Sequence, residues 1–368
     1  MIGFFIQKTG GYHKARFDAL HSTIGSGFCV FETRHAKNPY PWKSVEAPVF
    51  DRVVLNDAEL SWSGIATLIG ARGLDTVVCN GWSAHVDRRL AVVARLLGRN
   101  VLTFLDSTSL DRRRPVIVEA LKRPFVSSYF SGAFCAGARS REYAISVGFP
   151  ETSIAEGYDV VDNDHFARPR AAGNRALPDG PYFLAVTRFA PEKNLLALLD
   201  AYERHAIDRS GDAAWPLVLC GSGPLDAEIR ASAAGLRAGT VVFPGFLAYD
   251  ELPEVYQRAG CMILPSLSEP WGLVVNEALA AGTPVIVSDR CGCAPDLVFP
   301  GENGFAFSPT RPDELAALME KVASMPEEQR RAMGRRGQEI VSKYSLENWV
   351  KNFLELVERV RARRGARR

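Results

Sequence analysis

The chain has 368 residues, 47% of them hydrophobic, with 44 Lys+Arg against 42 Asp+Glu and a formal net charge of +2. That length exceeds what one core usually organises and predicts about two domains. The longest apolar runs fall short of the ~18 residues of a membrane span, the N-terminal run MIGFFIQKTGGYHK is too short for a signal peptide, and seven cysteines without a CxxC pair suit core thiols, so a cytoplasmic protein is expected.

Taken in chain order, short β-branched or aromatic runs alternate with helical patterns, which predicts α/β architecture with parallel sheets. The first half offers IGFFIQ, FCVFET, DTVVCNG and NVLTFLD as strands, with AHVDRRLAVVARLLG at helical spacing between the last two. The second half offers YFLAVTR, PLVLCGSG, TVVFPGF, CMILPS, TPVIVSD and GFAFSP, separated by helices such as KNLLALLDAYERH and PDELAALMEKV. HFARPRAAGNRALPDGP, residues 165 to 181, reads as the linker because it is rich in Pro, Gly and Ala. The economical reading is two doubly wound, Rossmann-like sheets facing each other across a cleft. The expected domains are 1–166, 167–345 and a terminal segment 346–368.

Charge divides unevenly between these parts. Residues 1–150 carry 19 cations against 12 acids, residues 151–345 carry 18 against 27, and the last 23 residues carry 7 against 3. The basic half suits an anionic membrane surface or an anionic acceptor, and a solvated basic face with a frayed tail is the plainer alternative. No nucleic-acid partner is expected.

In open α/β sheets ligands bind beyond the carboxyl ends of the strands, so the residues that follow strands carry the chemistry. KTGGYHKAR follows the first strand, and its Gly10 and Gly11 have no side chains to block backbone N–H groups from a phosphate at a helix start. TRFAPEKN sets Arg188 at a strand end and Lys193 at the next helix start, two cations suited to a diphosphate. CGSGP, with Gly223, adds a second glycine turn, and FPGFL, with Phe246 and Leu247, could hold a flat base. LSEPWGLVVNEALAAGTP contains Glu269 and Glu277 with seven residues between them. By themselves the two acids could be a hydrolase's acid and base, a structural pair, or acceptors for a ligand rich in hydroxyls. With cations, glycine turns and the helix N-terminus at Trp271, Gly272 and Leu273 on successive strand ends, the ligand implied is a sugar diphosphate.

TRFAPEKN, CGSGP, FPGFL and above all SEPWGLVVNEALAAGTPVI together resemble the retaining glycosyltransferases of family 4, which have the two-domain GT-B fold. The resemblance spans roughly residues 181 to 310 and thins in the first half to the TGG loop and the strand order. It implies that Arg188 and Lys193 contact the donor's diphosphate, Glu269 the hexose hydroxyls and Glu277 the ribose. It assigns the backbone of Trp271 to Leu273 to sugar or phosphate, Phe246 and Leu247 to the base, and Gly10 and Gly11 to the phosphate from the other domain. Gly223 is counted with the donor-binding residues. The family's last helix returns to the N-terminal domain, and YSLENWVKNFLELVERV has the amphipathic pattern for it.

One departure stands out. Many members have a histidine or another polar group after the strand matching NVLTFLD, where this chain has Leu105 and then Asp106, so Asp106 joins Glu269, Arg188 and Lys193 as a candidate catalytic contact. His13 and His85 follow first-half strands and are candidates to face the acceptor, although a lone histidine is more often structural. The resemblance implies transfer of a hexose or N-acetylhexosamine from a UDP- or GDP-linked donor to a glycan or lipid-linked acceptor, with retention and without a protein nucleophile. Envelope or exported polysaccharide synthesis is the expected setting, with peripheral contact to the inner face of the membrane. A sugar-nucleotide epimerase of the same fold and a non-catalytic scaffold are the alternatives. Asp162 and Asp164 in DVVDND have the DxD spacing of a metal-binding motif, but they are read as a turn, and no metal is expected.

Overall fold

The computed structural model describes residues 1–33, 48–111, 116–169, 177–209 and 214–365. The chain divides into two compact units, one of Met1–Ser109, Arg113–Val161 and Leu346–Arg368, the other of Leu110–Arg112 and Asp162–Ser345. Each is built on its own parallel sheet.

The first sheet has β1 (Ile2–Ile6), β2 (Phe28–Glu32), β3 (Arg52–Val54), β4 (Thr76–Cys79), β5 (Asn100–Leu105), β6 (Gly132–Cys135) and β7 (Ile154–Glu156), in the order β3-β2-β1-β4-β5-β6-β7. Every pairing is parallel. β1, β2 and β4 to β6 are wholly buried, which is why they read as continuous apolar runs instead of alternating ones. The helix Leu346–Gly365 closes one face. Its Trp349, Phe353, Leu356 and Val360 recur at helical spacing and are buried, with Phe353 against Phe4, Phe104 and Phe134. Asn352 and Arg359 donate to the carbonyls of Glu156 and Ile154, and Arg361 pairs with Asp75.

The second sheet has β8 (Phe183–Val186), β9 (Leu217–Cys220), β10 (Val241–Gly245), β11 (Cys261–Leu264), β12 (Val285–Ser288) and β13 (Gly304–Phe307), in the order β10-β9-β8-β11-β12-β13. It is again parallel throughout. Both sheets therefore have the doubly wound order, with switch points between β1 and β4 and between β8 and β11. At such a point neighbouring loops leave in opposite directions and open a crevice for a ligand.

Two sequence readings shift. The chain changes unit between Val161 and Asp162, ahead of the expected linker at 165–181. Phe166 is buried against Tyr249 and Tyr256, and Asn163 donates to the carbonyls of Val341 and Tyr344, so this segment belongs to the second unit's core; positions 170–176 lie outside the described residues. Asp162 uses its carboxylate as a helix cap, accepting from the His165 N–H at 3.0 Å, and Asp164 is exposed in that helix, Asn163–Ala167. All seven cysteines are buried free thiols. No helix among the described residues is long and apolar enough to cross a membrane. The last positions of the basic tail, 366–368, lie outside the described residues.

Candidate functional site

The switch point of the second sheet gathers the predicted donor residues. β8 runs into Thr187 and Arg188, and a short 3-10 turn, Pro191–Lys193, hands the chain to Asn194 and the helix Leu195–Asp208. Asn194 is left-handed at φ 56°, a conformation that Asn tolerates, and its side-chain amide donates to the carbonyls of Pro265 at 3.2 Å and Pro309 at 2.9 Å. The Leu267 N–H donates to the Glu192 carbonyl at 2.9 Å. These bonds stitch the loop after β8 to the loop after β11. They bring Lys193 to Glu269, whose carboxylate accepts from the Lys193 ammonium and from the Ser266 hydroxyl, the latter at 3.3 Å. Both side chains keep part of their surface in contact with solvent. Arg188 is half-buried and, among the described residues, makes no ion pair.

The carboxylate end is braced from the other side. The N–H groups of Gly292 and Cys293, beyond β12, donate to the carbonyls of Glu269 and Trp271. A Cβ on Gly292 would lie 1.7 Å from the Pro270 oxygen, so only glycine permits the approach. Gly272 adopts φ +111° at the start of the helix Leu273–Ala280, which turns the chain from the Glu269 loop into the helix and leaves the first backbone N–H groups at its N-terminus. The Trp271 ring is buried and held by its indole N–H on Asn276 at 2.9 Å, so the backbone is what this residue can offer a ligand.

Other predicted residues behave differently from expectation. Glu277 is fully buried, and its Oε2 accepts from the Tyr256 hydroxyl at 2.6 Å. The glycines of CGSGP make room for protein backbone: a Cβ on Gly221 would sit 1.9 Å from the Thr187 oxygen, and one on Gly223 2.4 Å from the Phe189 oxygen. The turn therefore presses on the loop that carries Arg188, which makes Gly223 a support of that loop. Phe246 is 52% exposed after β10, whereas Leu247 is 6% exposed and turned into the protein, so of this pair only the Phe246 ring is open to a base. Asn194, Ser266 and Tyr256 were not foreseen. The first two stand in or beside the quoted motifs, but Tyr256 carries no local signal because its partner is 21 residues away.

In the first unit the predicted residues stand at three strand ends. The loop after β1 leads through Thr9, whose N–H donates to the buried Glu32 at 2.9 Å, into Gly10 and the helix Gly11–Ile24. The Gly10 N–H, expected to meet a phosphate, donates to Nδ1 of His13 at 3.3 Å, while Gly11 is exposed. Burial, followed by the charge of Arg16, pushes the His13 pKa down to about 3, so the ring is a neutral acceptor that closes the first helical turn. His85 opens the helix His85–Leu96 after β4, exposed and 2.9 Å from Arg88. Asp106 is exposed directly after β5. Among the described residues no three His, Cys, Asp or Glu side chains gather as a metal site.

Residues 170–340 match the family described as glycosyl transferases group 1. An uncharacterized glycosyltransferase of Methanocaldococcus jannaschii is 25% identical over 355 residues, 91% of this chain and 87% of its own. An Escherichia coli O-antigen chain mannosyltransferase B is 28% identical over 138 residues, 37% of this chain and 35% of its own, so the chain spans about a third of that relative. Among solved structures, Anabaena HepE in complex with UDP and glucose superposes with a TM-score of 0.75 at 17% identity, covering 97% of this chain and 99% of its own. The switch-point loops described above lie within the matched segment. Residues 170–340 thus match the glycosyl transferases group 1 family, and the chain has the fold of its solved GT-B neighbours, with two parallel Rossmann-like sheets.

Proposed function

We propose that the protein is a retaining glycosyltransferase that moves a hexose or N-acetylhexosamine from a UDP- or GDP-linked donor to a glycan or lipid-linked acceptor. One observation above all supports this reading: the loops at the switch point of the second sheet carry a paired cation and carboxylate, Lys193 and Glu269, together with Arg188, which makes no ion pair among the described residues. A diphosphate suits the two cations, and sugar hydroxyls suit Glu269. The solved relative that carries UDP and glucose favours a nucleoside diphosphate sugar as the donor. The O-antigen relative favours polysaccharide synthesis as the setting.

In this reading Arg188 and Lys193 stabilise charge on the departing diphosphate, where removal of one such group typically costs roughly 3 to 4 kcal/mol of barrier. The N–H groups from Trp271 to Leu273 assist. Glu269 orients the sugar, Glu277 with Tyr256 secures the ribose end, and the Phe246 ring lies against the base. Retention follows from acceptor attack on the face that the diphosphate leaves, without a protein nucleophile. The two cations supply the positive charge for which other glycosyltransferases use a metal ion. The first unit handles the acceptor, with His85 and Asp106 as its exposed polar groups.

The test is a panel of nucleotide sugars read as release of free nucleotide, with and without glycan acceptors. Release from one donor, raised by an acceptor, is the expected result. Conversion of the sugar nucleotide without any acceptor would indicate an epimerase, and no turnover of any donor a scaffold.

A further inference from the structure

The most exposed ring of any Trp, Tyr or Phe among the described residues is Trp62 at 56%, followed by Phe246 at 52%. Each stands at the carboxyl edge of its own sheet. Phe246 directly follows β10, and Trp62 opens the helix Trp62–Ala71, which the loop 55–61 joins to the end of β3. The proposed function gives Phe246 the base and gives Trp62 nothing. Tryptophan is highly buried on average, as Trp82, Trp271 and Trp349 are here, so an outward-facing indole calls for a reason.

The backbone that carries the ring is fixed. The Ser61 hydroxyl oxygen accepts from the Gly64 N–H at 3.0 Å and caps the helix. A Cβ on Gly64 would lie 2.2 Å from the Ala58 oxygen, so glycine there lets the loop fold onto the first helical turn. Within the loop, the Asn56 N–H donates to the Glu59 carboxylate at 2.9 Å and the Glu59 N–H to the Asn56 amide oxygen at 3.1 Å. Arg89, on the neighbouring helix His85–Leu96, donates to the Leu60 carbonyl and sets its guanidinium 5.6 Å from the centre of the Trp62 ring. With one face turned to Arg89, the indole offers solvent its other face and its edge.

Such a surface suits one class of ligand. A pyranose presents a face of C–H groups, which packs on an indole, and a rim of hydroxyls, which need donors and acceptors at the edge of the contact. The indole N–H and the exposed Ser63 hydroxyl, next in the chain, supply these. Charge argues against an anionic ligand: residues 55–66 contain Asp57 and Glu59 and no Lys or Arg, and Arg89 is engaged by the Leu60 carbonyl. A lipid phosphate or a nucleotide would meet negative charge at this loop.

We infer that Trp62 is a stacking platform for a neutral sugar unit of an extended glycan, at a subsite beyond the one where the glycan's end reacts. Arg89 follows His85 by one turn on the same helix face, so the platform continues a strip that begins at the exposed His85, beyond the end of β4. A glycan whose reacting end lies at His85 meets Trp62 with a later unit. The inference rests on the proposed function in taking a glycan as the acceptor, and it narrows that acceptor to a chain of several sugars.

The experiment is saturation-transfer NMR with titration calorimetry of the full chain, without donor, against neutral glucose, galactose and mannose oligosaccharides of one to four units. Wild type should bind the longer members of at least one series, and the matching monosaccharide roughly tenfold more weakly. Trp62→Ala should lower affinity for the longer chains about tenfold, and Trp62→Tyr should retain most of it. Because the ring is exposed, neither substitution should move the melting temperature. Absence of binding in every series, equal affinity of Trp62→Ala, or equal affinity for monosaccharide and tetramer would each overturn the inference. So would co-sedimentation with phosphatidylglycerol vesicles that Trp62→Ala abolishes, since the ring would then meet lipid. A wild type that binds these oligosaccharides through Trp62 yet turns over no nucleotide sugar would count against the transferase reading and leave the platform intact.

Discussion

The Lys193 ammonium donates to the Glu269 carboxylate, joining the loop after β8 to the loop after β11 at the switch point of the second sheet. The pair neutralises itself until a ligand offers each partner something better: a diphosphate for the lysine, hydroxyl groups for the acid. Glu269→Gln should therefore leave Lys193 with more charge for a diphosphate. Nucleotide affinity should hold or rise, while turnover falls by roughly a hundredfold, because in the proposed complex the contact of Glu269 with the sugar strengthens toward the transition state. Titration calorimetry with nucleotide and steady-state kinetics measure the two effects. A fall in nucleotide affinity that matches the fall in turnover would argue against this division of roles.

Gly221 and Gly223 test whether the CGSGP turn acts through the Arg188 loop. Alanine at either position drives a methyl group into a carbonyl oxygen of Thr187 or Phe189, and Gly221 is also at φ +140°. Each substitution should lower stability by about 2 kcal/mol or more, Gly221→Ala the more severely. Donor turnover should fall with it because Arg188 moves. Unchanged melting temperatures would show that the loops have more room than the geometry allows.

The sequence exposed ten strands because each is a run of mostly apolar or β-branched residues, and all of them but β10 are buried along most or all of their length. It hid β3, β6 and β7 for different reasons. β3 (RVV) and β7 (IAE) are three-residue strands at the sheet edges, too short for any pattern, and β6 (GAFC) draws its strand character from neighbours on both sides, since Gly and Ala have low β propensity. Lys193 and Glu269 were recognisable because they stand next to strand ends, where topology decides position. The burial of Glu277 and Leu247, and the use of the Gly10 N–H by His13, depend on side-chain packing that motif spacing does not encode.

Asp162 offers a separate test, of the metal question. Its carboxylate caps the helix Asn163–Ala167. Asp162→Ala should cost about 1 kcal/mol of stability and leave turnover intact. Chelation with EDTA should not abolish activity. Loss on chelation with recovery on adding manganese would return Asp162 and Asp164 to candidacy as ligands.

Asp87 should tie stability to pH. Burial at the start of the helix His85–Leu96 pushes its pKa up to about 7, opposed by the Asn80 N–H and by Arg88. A raised acid binds its proton more tightly folded than unfolded, so stability falls as pH rises from about 4 to 7 and levels off above that. Asp87→Asn removes the cost, and its advantage over wild type should grow by an amount on the order of 2 kcal/mol between pH 5 and pH 8. Thermal melts across that range measure it; an advantage independent of pH would mean that Asp87 is already ionised throughout.

Glu277 and Tyr256 form the second carboxylate's site, and their burial predicts a compound effect. Tyr256→Phe leaves a buried carboxylate one donor short, which should lower stability by about 1 to 3 kcal/mol. In the proposed complex the same hydroxyl fixes the carboxylate that meets the ribose, so nucleotide affinity should fall as well. Glu277→Gln retains an acceptor oxygen but loses the charge, and should weaken donor and product nucleotide alike, because the ribose does not react. The contrast with Glu269→Gln is diagnostic: one variant loses nucleotide affinity, the other turnover. If the two acids were the acid and base of a hydrolase, either change would abolish turnover and neither would alter nucleotide affinity. If Glu277 and Tyr256 were only structural, both of their variants would melt lower with nucleotide affinity unchanged in the folded protein. That last result, in Glu277→Gln below its melting transition, would refute the ribose assignment.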